Sequence, residues 1–220
     1  MGKTGVREIQ KLKTRERLLK VARELFAAQG ILATRTADVA AAAGVSHGTI
    51  FVHFPTRDAL IEETIEAFGR DVARRTHELA VSGRSLREVL EAHLAGLSEH
   101  EGFYGRLVAE GPLLPDAARN ALIDIQSAVS WHVAEAAERE GARIRQVPMH
   151  LLFNTWVALL HYYLVNRDLF APGGSVLARC GGELLDHMIG MLRGGGRSAD
   201  RARGIDGPGA KPAARRGGSR

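Results

Sequence analysis

Gly44 splits the stretch Ala41–Phe54, AAAGVSHGTIFVHF, into two short helical pieces, and that break narrows the possible folds more than any other feature of the chain. The first piece runs from about Thr36 to Ala43. The second runs from a capping position at Ser46 to about Val52, and Pro55 ends it. Val39 and Ala40 face inward on the first piece. Gly44 makes the tight turn, Val45 fills the space beneath it, and Ile50 and Phe54 anchor the second piece. Small residues let the two cross closely. This is helix–turn–helix spacing, in which the second helix lies in a DNA major groove while the first crosses the backbone. His47, Gly48, Thr49, Phe51, Val52 and His53 are left on the exposed side.

Glycine and proline cut the rest of the chain into helices as well. TRERLLKVARELFAAQG carries apolar residues at Leu18, Leu19, Ala22, Leu25 and Phe26, an i, i+3/i+4 stripe. Thr14 can cap that helix, and Gly30 can end it in the left-handed conformation. Further helices are expected from Thr56 to about Val81, from the S-x-x-E capping box at Ser85–Glu88 to about His100, and from Phe103 to Ala109. The last three cover about Asp116–Glu140, Met149–Asn166 and Ser175–Leu192. No sustained alternation of apolar and polar residues marks a strand, and no repeat is visible. The expectation is an all-α protein of about nine helices.

Charge is unevenly spread. Residues 1–58 hold ten Lys/Arg against five Asp/Glu, and 194–220 hold seven against two. The body, 59–193, is acidic, with thirteen against eighteen. A basic module favours a polyanionic partner, most often nucleic acid, although a merely soluble surface has the same composition. The segment 194–220 has only Ile205 as a large apolar residue and is expected to be disordered. The start, residues 1–12, is basic without an apolar run and reads as an arm rather than a secretory signal. A single cysteine, Cys180, forms no internal disulfide and suits a reducing cytoplasm.

His47 and His53 invite a metal or acid–base reading. They lie six apart, so on a helix they point in different directions, and neither has a cysteine or carboxylate partner close in sequence. No metal, cofactor or catalytic residue is assigned. GKTG near the start lacks phosphate-loop spacing.

The stretch GILATRTADVAAAAGVSHGTIFVHFPTRDALI, Gly30–Ile61, resembles the DNA-binding signature of the tetracycline-repressor (TetR) family of bacterial transcriptional regulators. The specific likeness covers roughly 50 residues; elsewhere only length and helical pattern agree. The resemblance implies a three-helix DNA-binding domain over 13–57 and an effector-binding and dimerisation domain over 58–193. It implies phosphate contacts from Thr49, His53 and Arg57. His47 and Gly48 would face base edges, with Phe51 and Val52 beside them, and Thr34 and Thr36 would lie near the phosphate backbone. The chain departs from the usual pattern at His47 (lysine), Phe51 (tyrosine), Arg57 (lysine) and Thr36 (an apolar β-branched residue). Arg35, next to Thr36, is an extra cation and is expected to meet a phosphate.

The same resemblance implies a homodimer through the last two helices, hence a palindromic operator, and a repressor released by a small-molecule effector. MHLLFNTWVALLHYYLV is apolar on nearly every face, which suits a helix buried on several sides. Gly181 and Gly182 suit close approach across an interface, or a kink. Phe103, Tyr104, Trp131, His132, Phe153, Trp156, His161, Tyr162 and Tyr163 are candidates for an effector pocket, with core packing as the alternative for each. His93 and His100, seven apart, leave a metal effector open. An architectural DNA-binding protein without an effector is the competing function.

Overall fold

A computed structural model describes residues 3–79, 85–145 and 147–194 of the chain. They form ten α-helices and two short 3-10 turns. The helices are α1 (Lys3–Gln29), α2 (Thr36–Ala42), α3 (His47–His53), α4 (Arg57–Leu79), α5 (Leu86–Ser98), α6 (Glu101–Glu110), α7 (Asp116–Glu140), α8 (Met149–Val165), α9 (Arg167–Phe170) and α10 (Val176–Leu192). Among the described residues there is no strand, and no helix is long and apolar enough to cross a membrane. The helix beyond the nine expected is α9, one turn only, too short to leave an apolar period. The basic tail from 195 on, expected to be disordered, lies outside the described residues.

α1 runs back past Thr14 to Lys3, through the segment expected as an arm. Arg, Glu, Gln, Lys and Leu, all good helix formers, fill most of residues 7–13. Thr14 therefore caps nothing. Its hydroxyl donates to the Gln10 carbonyl at 2.9 Å, a bond that threonine makes inside helices. Gly30 then ends α1 at φ +99°, and Gly44 turns the chain between α2 and α3 at φ +66°. Ser46 holds the N-cap position of α3, but its hydroxyl pairs with the Thr49 hydroxyl at 2.8 Å instead of a backbone N–H. The Ser85–Glu88 capping box is present as expected.

The core joins both ends of the chain. Leu18, Ala22, Phe26, Ile31, Val39, Ile50, Phe54, Leu60 and Ile61 are buried together around the two short helices. Phe26 of α1 stacks on Phe103 of α6 at 6.3 Å, and Phe103 meets Phe68 of α4 edge-on at 5.3 Å. The N-terminal unit is thus seated on the larger domain through an aromatic contact.

Two remote glutamates add to the local serine caps of α5 and α10. Glu140 at the end of α7 accepts the Leu86 N–H of α5 at 2.8 Å. Glu101 of α6 accepts the Ser175 hydroxyl at 2.5 Å and the Val176 and Leu177 N–H groups at 2.8 and 3.2 Å. A carboxylate at a helix N-terminus satisfies orphan donors and complements the helix dipole. Replacing Glu101 by alanine is expected to cost about 1–3 kcal/mol, as for charge-assisted hydrogen bonds. Chemical unfolding measures it; an unchanged midpoint would show that water replaces the carboxylate at no cost.

The glycines of α10 divide. A Cβ on Gly181 would stand 2.7 Å from Leu94 of α5, so this glycine serves packing inside the chain. Gly182 faces open space.

Candidate functional site

The turn between α2 and α3 is closed by backbone bonds from Gly44 N–H to the Ala41 carbonyl (3.1 Å) and from Val45 N–H to the Ala40 carbonyl (3.0 Å). α3 buries Ile50 and turns the other side outward. His47 and Gly48 are exposed, Phe51 is 46% exposed and Val52 70%. Free energy is not gained by leaving two such side chains in water, so this face is fitted for something other than stability. The His47 ring meets the Phe51 ring edge-on at 5.2 Å, and His47 Nε2 shares a 2.9 Å hydrogen bond with the Thr36 hydroxyl. Thr36, at the start of α2, thereby ties the two short helices and orients the His47 ring. Thr49 is half-buried, in the first turn of α3.

The loop before α2 is held from two sides. Arg57 Nε donates to the Thr34 carbonyl at 3.2 Å, and Nη2 to the Ile31 and Leu32 carbonyls at 2.7 and 3.1 Å. From the larger domain, the Glu110 carboxylate accepts the Leu32 N–H at 2.7 Å. Thr34 is 2% exposed; its hydroxyl donates to the Gly30 carbonyl at 2.6 Å and accepts from Gln29 Nε2 at 3.2 Å. Thr34 is therefore turned inward, away from the surface that carries His47 and Arg35. Arg35 is exposed, and its backbone N–H donates to the Asp38 carboxylate at 3.0 Å.

The lysine-to-arginine departure at Arg57 acquires a structural sense. A planar guanidinium reaches three carbonyls at once, whereas an ammonium on a flexible stem does so only with a larger loss of side-chain freedom. Arg57→Lys is expected to lower the unfolding midpoint by a few degrees and to loosen the loop. Amide hydrogen exchange at residues 31–34 measures it, and unchanged protection there would remove Arg57 as the loop's clamp.

His53, the last residue of α3, has a buried Nδ1 without a hydrogen-bond partner among the described residues. Burial, followed by the cations Lys11 and Arg15, holds its pKa below the ordinary histidine value. Arg15 lies 5.0 Å over the Phe54 ring and is ion-paired with Glu63. His53 is thus neutral at pH 7 and sits beside a cationic strip on α1 that the sequence reading did not connect with it. The 38 positions from Arg15 to His53 carry no local signal of that proximity.

Only part of the expected effector set converges. The Tyr104 hydroxyl and His161 Nε2 are 2.7 Å apart, and Tyr104 stacks on Phe68 at 5.7 Å. Trp156 Nε1 donates to His93 Nδ1 at 3.1 Å. Gln126 of α7 also hydrogen-bonds Tyr104. Burial, and for His93 the nearby His161, pushes both histidines down to about 4, and burial pushes Tyr104 up. All three are neutral at pH 7. His93, Phe68 and Gln126 were not among the sequence candidates for this pocket, because nothing local distinguishes them from ordinary core and helix positions. Phe153 lies on another side of α8 and lines a groove of about 350 Å³ between α7 and α8, with Ile123, Gln126, Ser127, Ser130 and Met149. Gln126 thus belongs both to the groove and to the buried network.

The remaining candidates lie elsewhere. Trp131 is 59% exposed on α7, edge-on to half-buried His132 at 5.0 Å, and Tyr162 is 60% exposed on α8. Tyr163 stacks on Phe170 of α9 at 4.1 Å. His93 and His100 share no helix face, since α5 ends at Ser98 and His100 precedes α6. His100 instead packs on Phe68 at 5.9 Å.

The helix–turn–helix region matches the family model described as bacterial regulatory proteins, tetR family, over residues 18–64. The HTH-type transcriptional repressor KstR2 of Rhodococcus jostii (strain RHA1) is 36% identical over 78 residues, 36% of this chain and 38% of that protein. The match to this relative thus spans little more than a third of its length. Among solved structures, a protein of Rhodococcus sp. assigned to the TetR family of transcriptional regulators is 25% identical with a TM-score of 0.67, covering 81% of this chain and 96% of the other. PfmR from Thermus thermophilus, a TetR family transcriptional regulator, is 21% identical with a TM-score of 0.65, covering 82% and 100%. This last likeness is one of fold.

Proposed function

We propose, for a chain that belongs to the TetR family of bacterial regulatory proteins, a cytoplasmic, dimeric, sequence-specific DNA-binding regulator that a small-molecule effector releases from a palindromic operator. The observation that carries it is the outward face of α3, with His47, Gly48, Phe51 and Val52 exposed on a helix whose other side is locked into the core. Hydrogen bonding of His47 Nε2 to Thr36 leaves Nδ1 as the ring atom for a base edge. The Phe51 ring and the Val52 methyls suit a thymine methyl. Thr49, Arg35 and Thr36 flank this face and take phosphates, and His53 gains a proton as a phosphate approaches. Arg57 acts by holding the loop that presents Arg35.

Dimerisation uses the outer sides of α8 and α10. Leu151, Tyr162 and Val165 of α8 are exposed large apolar groups, as is Met191 of α10. Gly182 and Gly190 of α10 face open space, so another backbone can approach closely. A two-fold dimer sets two α3 helices about one turn of DNA apart, roughly 34–36 Å.

The effector occupies the region of Tyr104, His161, His93, Trp156 and Gln126, reached from the α7–α8 groove. Neutral hydrogen-bonding groups among aromatic rings suit a mostly apolar, uncharged molecule with one or two polar atoms. α6 carries Tyr104 at this site and Glu110 at the α1–α2 loop, and α4 carries Phe68 and Arg57. An effector that moves either helix therefore changes the separation of the two α3 helices and shifts the dimer to a state that no longer fits the operator.

Selection of bound duplexes from random DNA tests the central reading: an enriched palindrome is expected, and its absence sinks it. On that duplex Arg35→Ala is expected to weaken binding and to reduce the salt slope by about one per protomer. A small-molecule thermal-shift screen then separates the regulated protein from an architectural one; only the former yields a stabilising ligand that also lowers operator affinity.

A further inference from the structure

α1 continues well beyond what the helix–turn–helix core needs. One face of its C-terminal half is buried, with Phe26 packed on Phe103 of the larger domain. Arg23 pairs with Asp71 and Arg15 with Glu63 of α4, so towards its N-terminus α1 runs to the start of α4, the end at which α3 lies. Arg15 marks the crossing point, over the Phe54 ring immediately after α3. Residues four apart share a helix face, so Lys11 and Arg7 continue the Arg15 row outward. At 1.5 Å per residue, Arg7 stands about 12 Å further along the axis than Arg15.

Residues 5–13 are all exposed. Among the described residues neither Arg7 nor Lys11 is in an ion pair, whereas Arg15 pairs with Glu63 and Lys20 with Glu24. Val6, Ile9 and Leu12 fall on the opposite side of the helix and are exposed as well. The extension has a basic face continuous with the C-terminal end of α3 and an apolar face turned away from it.

We propose that the N-terminal extension of α1 is a second DNA-contact element, in which Arg7 and Lys11 bind the phosphate backbone of the duplex flanking each half-site. The inference rests on the DNA-binding reading above. The contact is to phosphates alone, so it adds affinity and salt dependence without reading sequence. Both cations stand outside the core, so removing them leaves folding intact. Lys11 lies close enough to His53 to help keep that ring neutral, which places the row beside the expected phosphate path.

The test uses the full chain and the duplex obtained by selection, with long flanks and with flanks trimmed to the palindrome. For Arg7→Ala/Lys11→Ala the slope of log K against log salt is expected to fall by about two per protomer. The selected sequence is expected to stay the same. Wild-type protein should weaken on trimmed DNA, and the variant should be indifferent to trimming. A charge-reversed variant, Arg7→Glu/Lys11→Glu, should lose more. An unchanged salt slope with normal operator binding overturns this proposal alone, while absence of any bound duplex for wild type overturns both readings. A basic amphipathic helix also suits anionic bilayers. If the variant loses binding to phosphatidylserine vesicles but keeps the wild-type DNA slope, the extension is a membrane element and the proposal fails.

Discussion

Lowering the pH from 7.5 to 5.5 is expected to destabilise this protein by a margin that buried His93 and half-buried His161 set. His93 and His161 have folded pKa values near 4, against an ordinary value of 6.5. Between those limits the unfolded chain binds protons that the folded chain refuses. Stability is therefore flat above about pH 6.5 and falls as the pH drops towards 4. At pH 5.5 each histidine contributes a loss of roughly 1 kcal/mol, rising to about 3 kcal/mol below pH 4. The physical cause is visible in the packing: His93 Nδ1 is already occupied as the acceptor of the Trp156 N–H, and His161 shares its Nε2 with Tyr104. His53 and His100 are also lowered and act in the same direction. Urea unfolding at the two pH values measures the effect, and His161→Gln, which removes one titrating group, should flatten the dependence. Equal stability at pH 7.5 and 5.5 in wild type would rule out neutral histidines at these positions. In the folded protein these groups stay neutral down to about pH 4, so binding of the proposed effector should not change between the two pH values.

The architecture was largely legible because helices leave a period of 3.6 in the sequence and glycine and proline stop them. Gly30 and Gly44 do so at positive φ, and α7 begins and ends where the pattern places it, at Asp116 and Glu140. The candidate DNA interface was legible for the same local reason: Thr36, His47 and Phe51 lie within one compact motif. Contacts between distant residues were not legible. Arg57 is expected from the resemblance to meet a phosphate, yet its guanidinium is held by three carbonyls more than twenty residues earlier. Thr34 is expected from the resemblance near the phosphate backbone, yet Gln29 and Gly30 draw its hydroxyl inward. The aromatic candidates divided in the same way: Tyr104 and His161 meet across 57 residues, whereas Trp131 and Tyr162 fall on outer helix faces. Composition names residues fit for a pocket, but only the angle at which α6, α7 and α8 pack decides which of them share it.

Gly69 illustrates the point, and its substitution is the second large effect expected. As a glycine within α4 it could be read as a weak point in a moving helix. It is instead a contact: a Cβ at this position would fall 2.2 Å from Ile125 Cγ1 and 2.5 Å from Cδ1 of α7. Isoleucine is stiff at χ1, so the clash cannot be relieved by a simple rotation. Gly69→Ala must push α4 away from α7, and overpacking of this kind costs about 1–3 kcal/mol even though alanine is the better helix former. α4 begins at Arg57, which holds the loop before α2, so the displacement should reach the DNA-binding unit as well. The expected result is a lowered unfolding midpoint together with weaker operator binding. Ile125→Ala alone should cost little in binding, since Ile125 is only partly buried and lies on α7, outside the DNA-binding unit. Combined with Gly69→Ala it should restore both the midpoint and the affinity, a coupling characteristic of residues in direct contact. If the double variant is as impaired as Gly69→Ala alone, steric contact is not what fixes α4, and glycine is required there for the bending of the helix itself.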